Sequence, residues 1–176
     1  VGASYCINRL YLAQEALCVQ NPATGREATI PHLTVPSTGF TGSVVVVGGG
    51  PAGLEAARVC AERGHAVTLF EAQSEIGGQV RLAARASSRN RDMVGIVDWL
   101  DREATRAGVD IQLNCPVTAK EILDCDPDVV IVATGGWPDT DVLPPASNGA
   151  DLLVSVADVV SGHVPVGPRS LVFDDH

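Results

Sequence analysis

This sequence predicts an α/β fold, a doubly wound parallel sheet, on three observations. Four valines, Val44 to Val47, run straight into Gly48-Gly49-Gly50-Pro51-Ala52-Gly53. A second β-rich run, Ala66 to Phe70, closes on the acid Glu71, 18 residues past the last of those glycines. A third apolar run, Val129 to Ala133, opens onto Thr134-Gly135-Gly136. Short apolar runs separated by helix-length stretches are the signature of buried parallel strands. The sheet is expected to follow a short Cys-bearing segment of helix and loop.

Taken in order, residues 1–28 form that partly helical segment and end in the polar turn Asn21-Pro22-Ala23-Thr24-Gly25. Residues 29–43 read as an extended linker, because Pro31, Pro36, Gly39 and Gly42 interrupt any helix. The first βαβ unit runs from Val44 to Phe70. Residues 71–91 are expected to be a loop region that contains Gly77-Gly78-Gln79 and several arginines. Met93, Val97, Leu100, Ala104 and Ala107 recur at helical spacing, so 92–107 should be an amphipathic helix closed by Gly108. Val109 to Leu113 reads as a strand. Thr118 and Glu121 form a capping box for a short helix through Leu123. Val129 to Ala133 is expected to be a buried strand. A short helix near Ser155 to Val160 and a strand at Ser170 to Phe173 complete the chain.

The glycine run is a G-x-G-x-x-G between a strand and a helix. Gly48 permits the tight turn, Gly50 lets backbone approach a pyrophosphate, and Gly53 lets the helix pack close to the sheet. Pro51 suits the first helical turn, where an N–H would lack a partner. The unpaired N–H groups and the helix dipole attract phosphate there. An acid at the end of the second strand, such as Glu71, is placed for the adenosine ribose hydroxyls and disfavours a 2′-phosphate. These features together predict a Rossmann-like dinucleotide site.

Composition bounds the remaining possibilities. A net charge of −9 argues against a nucleic-acid surface, which needs clustered Lys and Arg. No apolar run approaches the roughly 18 residues of a membrane span. The five cysteines contain no C-x-x-C, and with no signal-like start they favour the reducing cytoplasm. His32, His65, His163 and His176 lack metal-ligand spacing. There is no G-x-S-x-G for nucleophilic catalysis. Trp99 is expected in the core, and Trp137 is a candidate neighbour of the cofactor. With no initiator Met and an abrupt end, the sequence reads as an internal piece of a longer polypeptide.

The glycine fingerprint, Phe70-Glu71-Ala72 with Gly77-Gly78-Gln79, and Val130-Ile131-Val132-Ala133-Thr134-Gly135 together resemble the FAD-binding domain of two-dinucleotide-domain flavoprotein reductases. Adding CINRLYLAQEALCVQNPATGRE, the sequence is similar to the NADH:flavin oxidoreductase family, which includes trimethylamine dehydrogenase, 2,4-dienoyl-CoA reductase and N-methyl amine (N-methylproline-type) demethylases. The resemblance implies four segments: 1–28 as the remnant of an iron–sulfur segment, 29–43 as a linker, 44–150 as the FAD- or ADP-binding domain, and 151–176 as the connection to a truncated second dinucleotide domain. It implies that the sheet is incomplete, and it implies a full-length parent with an FMN barrel and a 4Fe-4S cluster, which supplies the catalytic residues. None is therefore assigned in this chain.

For the cofactor, the resemblance implies pyrophosphate contacts from Gly48, Gly50, Pro51, Ala52 and Gly53, and ribose contact from Glu71 beside Ala72. It places Gly78 and Gln79 towards the flavin, the backbone of Val117 beside the adenine, and Ala133, Thr134 and Gly135 at the second strand end. Arg89 is a candidate cation for the pyrophosphate. Cys6 and Cys18 fall at the third and fourth cluster-ligand positions, whereas Ala3 occupies the second and the first lies before Val1. Two thiolates fall short of the usual four. Asp174-Asp175-His176 stands where the second domain's own glycine turn belongs, which implies an acceptor protein in place of NAD(P)H there. Partners implied are the FMN barrel, NAD(P)H or an electron-transfer protein, and a second copy in a homo-oligomeric parent, with no nucleic acid and no membrane. Three functions remain open: an electron-relaying FAD module, a structural ADP module, and an NAD-binding dehydrogenase domain.

Overall fold

The valine run of Val44 to Val47 forms a strand because β-branched side chains fit a pleated, buried surface. The computed structural model describes residues 5–136, 138–139 and 153–172. Ala3, Trp137 and the run from Phe173 to His176 lie outside them. The chain forms two compact units, Val1–Gly135 and Gly136–His176.

In the first unit, helix α1 (Tyr5–Tyr11) precedes β1 (Ser43–Val47), α2 (Pro51–Glu62), β2 (Ala66–Phe70) and α3 (Gln79–Ala86). A 3-10 helix (Ser88–Met93) leads into α4 (Val94–Arg106), followed by β3 (Asp110–Gln112), α5 (Ala119–Asp124) and β4 (Val129–Val132). The four strands lie in the order β3-β2-β1-β4, all parallel, with Val45 opposite Thr68 on one side and Val130 on the other. This is the sheet expected of an incomplete doubly wound fold.

Alternation along β1 and β2 aims Val44, Val46, Val67 and Leu69 at one face, where they pack with Leu54 and Ala57 of α2 and Val97, Leu100 and Ala104 of α4. Each fully buried Val or Leu side chain contributes about 1.5–3 kcal/mol. Pro51 opens α2, and Gly108, at φ +86°, follows α4 in the left-handed position that ends it. Thr118 and Glu121 form the expected reciprocal capping box on α5.

In the second unit, α6 (Val156–Ser161) starts at Ser155, whose hydroxyl accepts the Asp158 N–H. That hydrogen bond is the N-cap that fixes where this helix begins.

Four expectations are corrected. Residues 71–91 are not a loop throughout: once Gly77 and Gly78 have turned the chain, Arg81-Leu82-Ala83-Ala84-Arg85-Ala86 is a run of strong helix formers and becomes α3. Val129 to Ala133 forms a strand but not a buried one, because β4 pairs only with β1 and leaves Val132 73% exposed. Trp99 is 40% exposed, stacked beneath Arg58 at 5.4 Å instead of enclosed in the core. Ser170, Leu171 and Val172 form no strand, since no neighbouring strand pairs with them among the described residues. Among the described residues, no helix is long and apolar enough to cross a membrane.

Candidate functional site

Gly48 leaves β1 at φ +106°, a conformation that side chains rarely adopt. Its N–H donates to the Phe70 carbonyl at 2.8 Å. A β-carbon there would lie 2.4 Å from the Ala133 carbonyl oxygen, so the turn sits directly on the end of β4. Ala133 continues that pairing by donating its N–H to Val47 O at 2.8 Å. Thr134 and Gly135 follow, both exposed, with Gly135 at φ +74°.

Gly50 is the N-cap of α2 and carries no side-chain cap. Beyond its own chain neighbours, no atom of the described residues lies within 4 Å of where its β-carbon would stand. The Leu54 N–H reaches Gly50 O at 2.9 Å. The N–H groups of Ala52 and Gly53 precede that bond and have no carbonyl within the helix to bind, while Pro51 has no N–H at all. An open backbone surface beside unsatisfied donors suits a phosphate group.

Glu71 is buried, 8% exposed, at the end of β2. Its Oε2 accepts the Gly49 N–H at 2.6 Å, and its Oε1 accepts the Gln73 N–H at 2.8 Å. Its own backbone is also held, with its N–H on Gln112 O and its carbonyl on the Cys115 N–H, both at 2.9 Å. The Asn114 N–H adds a bond to Gln73 O at 2.9 Å. Val117 follows two residues after Cys115, on the connection that these bonds hold beside Ala72.

The Gly77-Gly78 turn closes over the glycine loop. Gly77 donates its N–H to Gly49 O at 2.8 Å, and a β-carbon on Gly78 would stand 3.4 Å from Gly50 Cα. Gly78 is the N-cap of α3 and, like Gly50, has no side-chain cap. Gln79 is the first residue of that helix and is exposed.

The structure therefore gathers Gly48, Gly50, Pro51, Ala52, Gly53, Glu71, Gly78, Ala133 and Thr134 around one turn. Arg89 is exposed on the 3-10 helix, and none of these contacts ties it to the turn. Gly49, Gln73, Ile76 and Gly77 are participants that motif reading passes over. The middle glycine of Gly48-Gly49-Gly50 is the signal that could have found them, since its β-carbon would come 2.9 Å from Glu71 Oε2 and 3.0 Å from Ile76. A cavity of about 320 Å³ lies at the opposite ends of the strands, lined by Ser43, Val44, Ala66, Asp110, Cys125 and Pro127 and by none of the residues gathered around the turn.

Cys6 lies in α1, and Cys18 Sγ accepts the Gln20 N–H at 3.4 Å. Among the described residues, no group of three or more His, Cys, Asp or Glu could hold a metal ion. Burial pushes the Cys60 thiol up from its usual range, so it stays protonated against the core.

Residues 46–96 match the model of the NAD(P)-binding Rossmann-like domain. Over 99% of its length the chain is 50% identical to a probable N-methylproline demethylase of Rhizobium meliloti, covering 25% of that protein. It is 48% identical, again over 99% of its length, to the N,N-dimethylglycine/sarcosine dehydrogenase of Chromohalobacter salexigens, covering 26%. The solved structure of a 2-naphthoyl-CoA reductase superposes with a TM-score of 0.80 at 31% identity, over 90% of this chain and 24% of that one. Along this segment the chain is similar to oxidoreductases, as its resemblance to the NADH:flavin oxidoreductase family implies. It spans about a quarter of the length of the curated relatives it matches. The glycine turn and Glu71 fall inside the segment matched as Rossmann-like.

Proposed function

We propose that this chain is the FAD- or ADP-binding portion of a multidomain flavin-dependent oxidoreductase. One observation carries the proposal: an open backbone at Gly50, at an uncapped helix start, faces the same turn that Glu71 borders. In this reading Gly48, Gly50, Pro51, Ala52 and Gly53 hold the pyrophosphate and Glu71 holds the ribose. Ala72 and Val117 border the adenosine, Gly78 and Gln79 face the far end of the nucleotide, and Ala133, Thr134 and Gly135 form the facing wall. Arg89 supplies an outlying positive charge.

A flavin supplies electron relay when bound; the chain's own part is to hold and orient it. In the whole polypeptide this portion, 44–150, lies between an iron–sulfur segment that includes 1–28 with Cys6 and Cys18, joined by the linker 29–43, and a second dinucleotide domain entered at 151–176. An FMN barrel performs the substrate chemistry, and NAD(P)H or an electron-transfer protein exchanges electrons with it in the cytoplasm.

A second reading, ADP as a structural ligand, is favoured by one feature. The tightly held groups, the turn and Glu71, meet only the ADP moiety that FAD and ADP share. Denaturing the purified protein and identifying the released nucleotide by absorbance and mass tests both. FAD supports the relay, ADP supports the structural role, and neither nucleotide overturns the assignment.

A further inference from the structure

Glu71 has partners in this structure beyond the ribose contact proposed for it. A carboxylate offers about four lone-pair positions. Two are already used in the protein itself, by Gly49 N–H on Oε2 at 2.6 Å and by Gln73 N–H on Oε1 at 2.8 Å. Gly49 is then held from its other side as well, because its carbonyl accepts the Gly77 N–H at 2.8 Å. A continuous path of hydrogen bonds thus runs from the Glu71 carboxylate through Gly49 to the Gly77-Gly78 turn that opens α3.

Sterics reinforce the same arrangement. Gly49 is buried, and a β-carbon on it would crowd the Glu71 carboxylate at 2.9 Å and Ile76 at 3.0 Å, so only glycine fits there. Hydrogen bonds to an ionised acceptor are shorter and roughly twice as strong as neutral ones, and burial strengthens them further. A glycine loop of this kind is intrinsically mobile, and fixing it in advance removes an ordering cost from ligand binding.

We propose that Glu71 is a positioning residue for the phosphate-binding turn, holding it in shape before any nucleotide arrives and setting the Gly77-Gly78 turn through Gly49. The inference rests on the nucleotide-binding reading above and deepens it. One carboxylate would then serve two ends of the same ligand: directly at the ribose, and through Gly49 at the pyrophosphate. A glutamine cannot replace it, because its NH2 would confront one of the two backbone N–H donors.

The test uses amide hydrogen exchange in the nucleotide-free full chain, together with titrations of ADP and of inorganic pyrophosphate, which has no ribose. In the wild type, the Gly49 and Gly77 amides are expected to be protected without ligand. In Glu71→Gln, both should exchange faster, and affinity for pyrophosphate as well as for ADP should fall by about tenfold or more. Free exchange of Gly49 in the ligand-free wild type would overturn the proposal, and that result needs no variant to fold. A Glu71→Gln protein that loses ADP affinity but keeps both pyrophosphate affinity and amide protection would also overturn it, leaving Glu71 as a ribose ligand alone. If the wild type binds neither ADP nor FAD, the nucleotide reading fails, and the two amides still decide whether Glu71 holds the turn.

Discussion

A β-carbon on Gly53 would stand 1.9 Å from the carbonyl oxygen of Gly48, so α2 and the end of β1 meet backbone to backbone. No side chain can yield at that contact. Gly53→Ala should therefore move the helix off the sheet, costing about 1–3 kcal/mol by overpacking and weakening nucleotide binding with it. Thermal unfolding and an ADP titration on the same variant check both effects, and an unchanged melting temperature would contradict the contact.

Gly50 behaves in the opposite way. It sits at φ −71° and ψ 175°, which alanine adopts freely, and its β-carbon would meet nothing within 4 Å. Gly50→Ala should cost under about 1 kcal/mol, as a poorer N-cap, while the added methyl occupies the space offered to phosphate. The expected result is a nearly native melt with ADP affinity reduced about tenfold or more. A variant that binds ADP normally would remove the phosphate from this side of the turn.

These two glycines show how much of the site sequence alone could convey. Spacing located the turn, the helix start at Pro51 and the acid Glu71, because each of those is a local preference. It also set Gly53 against the sheet and left Gly50 open to a ligand, but it could not give the closeness of the Gly53 contact, since that depends on how Gly48 and Ala133 meet the helix in three dimensions. Gly49 was hidden for the same reason: the group that needs it, Glu71, is 22 residues away. Helix α3 was obscured by the Gly77-Gly78 pair, although the residues after it favour helix. The burial of Val129 to Val132 was misjudged because an apolar run records a strand's preference but not its place at the edge of a sheet.

Arg58 ties α2 to α4. Its guanidinium donates to both oxygens of Glu55 at 2.8 and 2.9 Å and to Glu62 at 2.7 Å, and it lies over the Trp99 ring at 5.4 Å. The two carboxylates hold its proton more tightly than usual, so it stays charged at any working pH. Its side chain is largely covered, unlike that of an ordinary surface pair. Arg58→Ala should cost on the order of 2 kcal/mol through lost charged hydrogen bonds and stacking. Arg58→Lys should recover little, because an ammonium lacks the planar fork. Denaturant unfolding followed by Trp99 fluorescence checks this, and a Lys variant as stable as the wild type would exclude the fork geometry.

Acid should loosen α5 before the sheet. The Glu121 carboxylate accepts from the Thr118 N–H and hydroxyl, each at 2.8 Å, and these bonds hold it below its ordinary pKa. A carboxyl depressed in the folded state adds stability above its unfolded pKa and loses it as pH falls through the folded value. Thr118→Ala, which removes the cap at any pH, should cost about 1 kcal/mol locally. Protection of the amides along Ala119–Asp124, relative to the unfolded chain at the same pH, should therefore fall below the normal carboxylate range in the wild type and should already be low at neutral pH in Thr118→Ala. Equal protection of α5 at pH 7 in both proteins would mean that tertiary contact at Ile122, and not the capping box, keeps this helix formed.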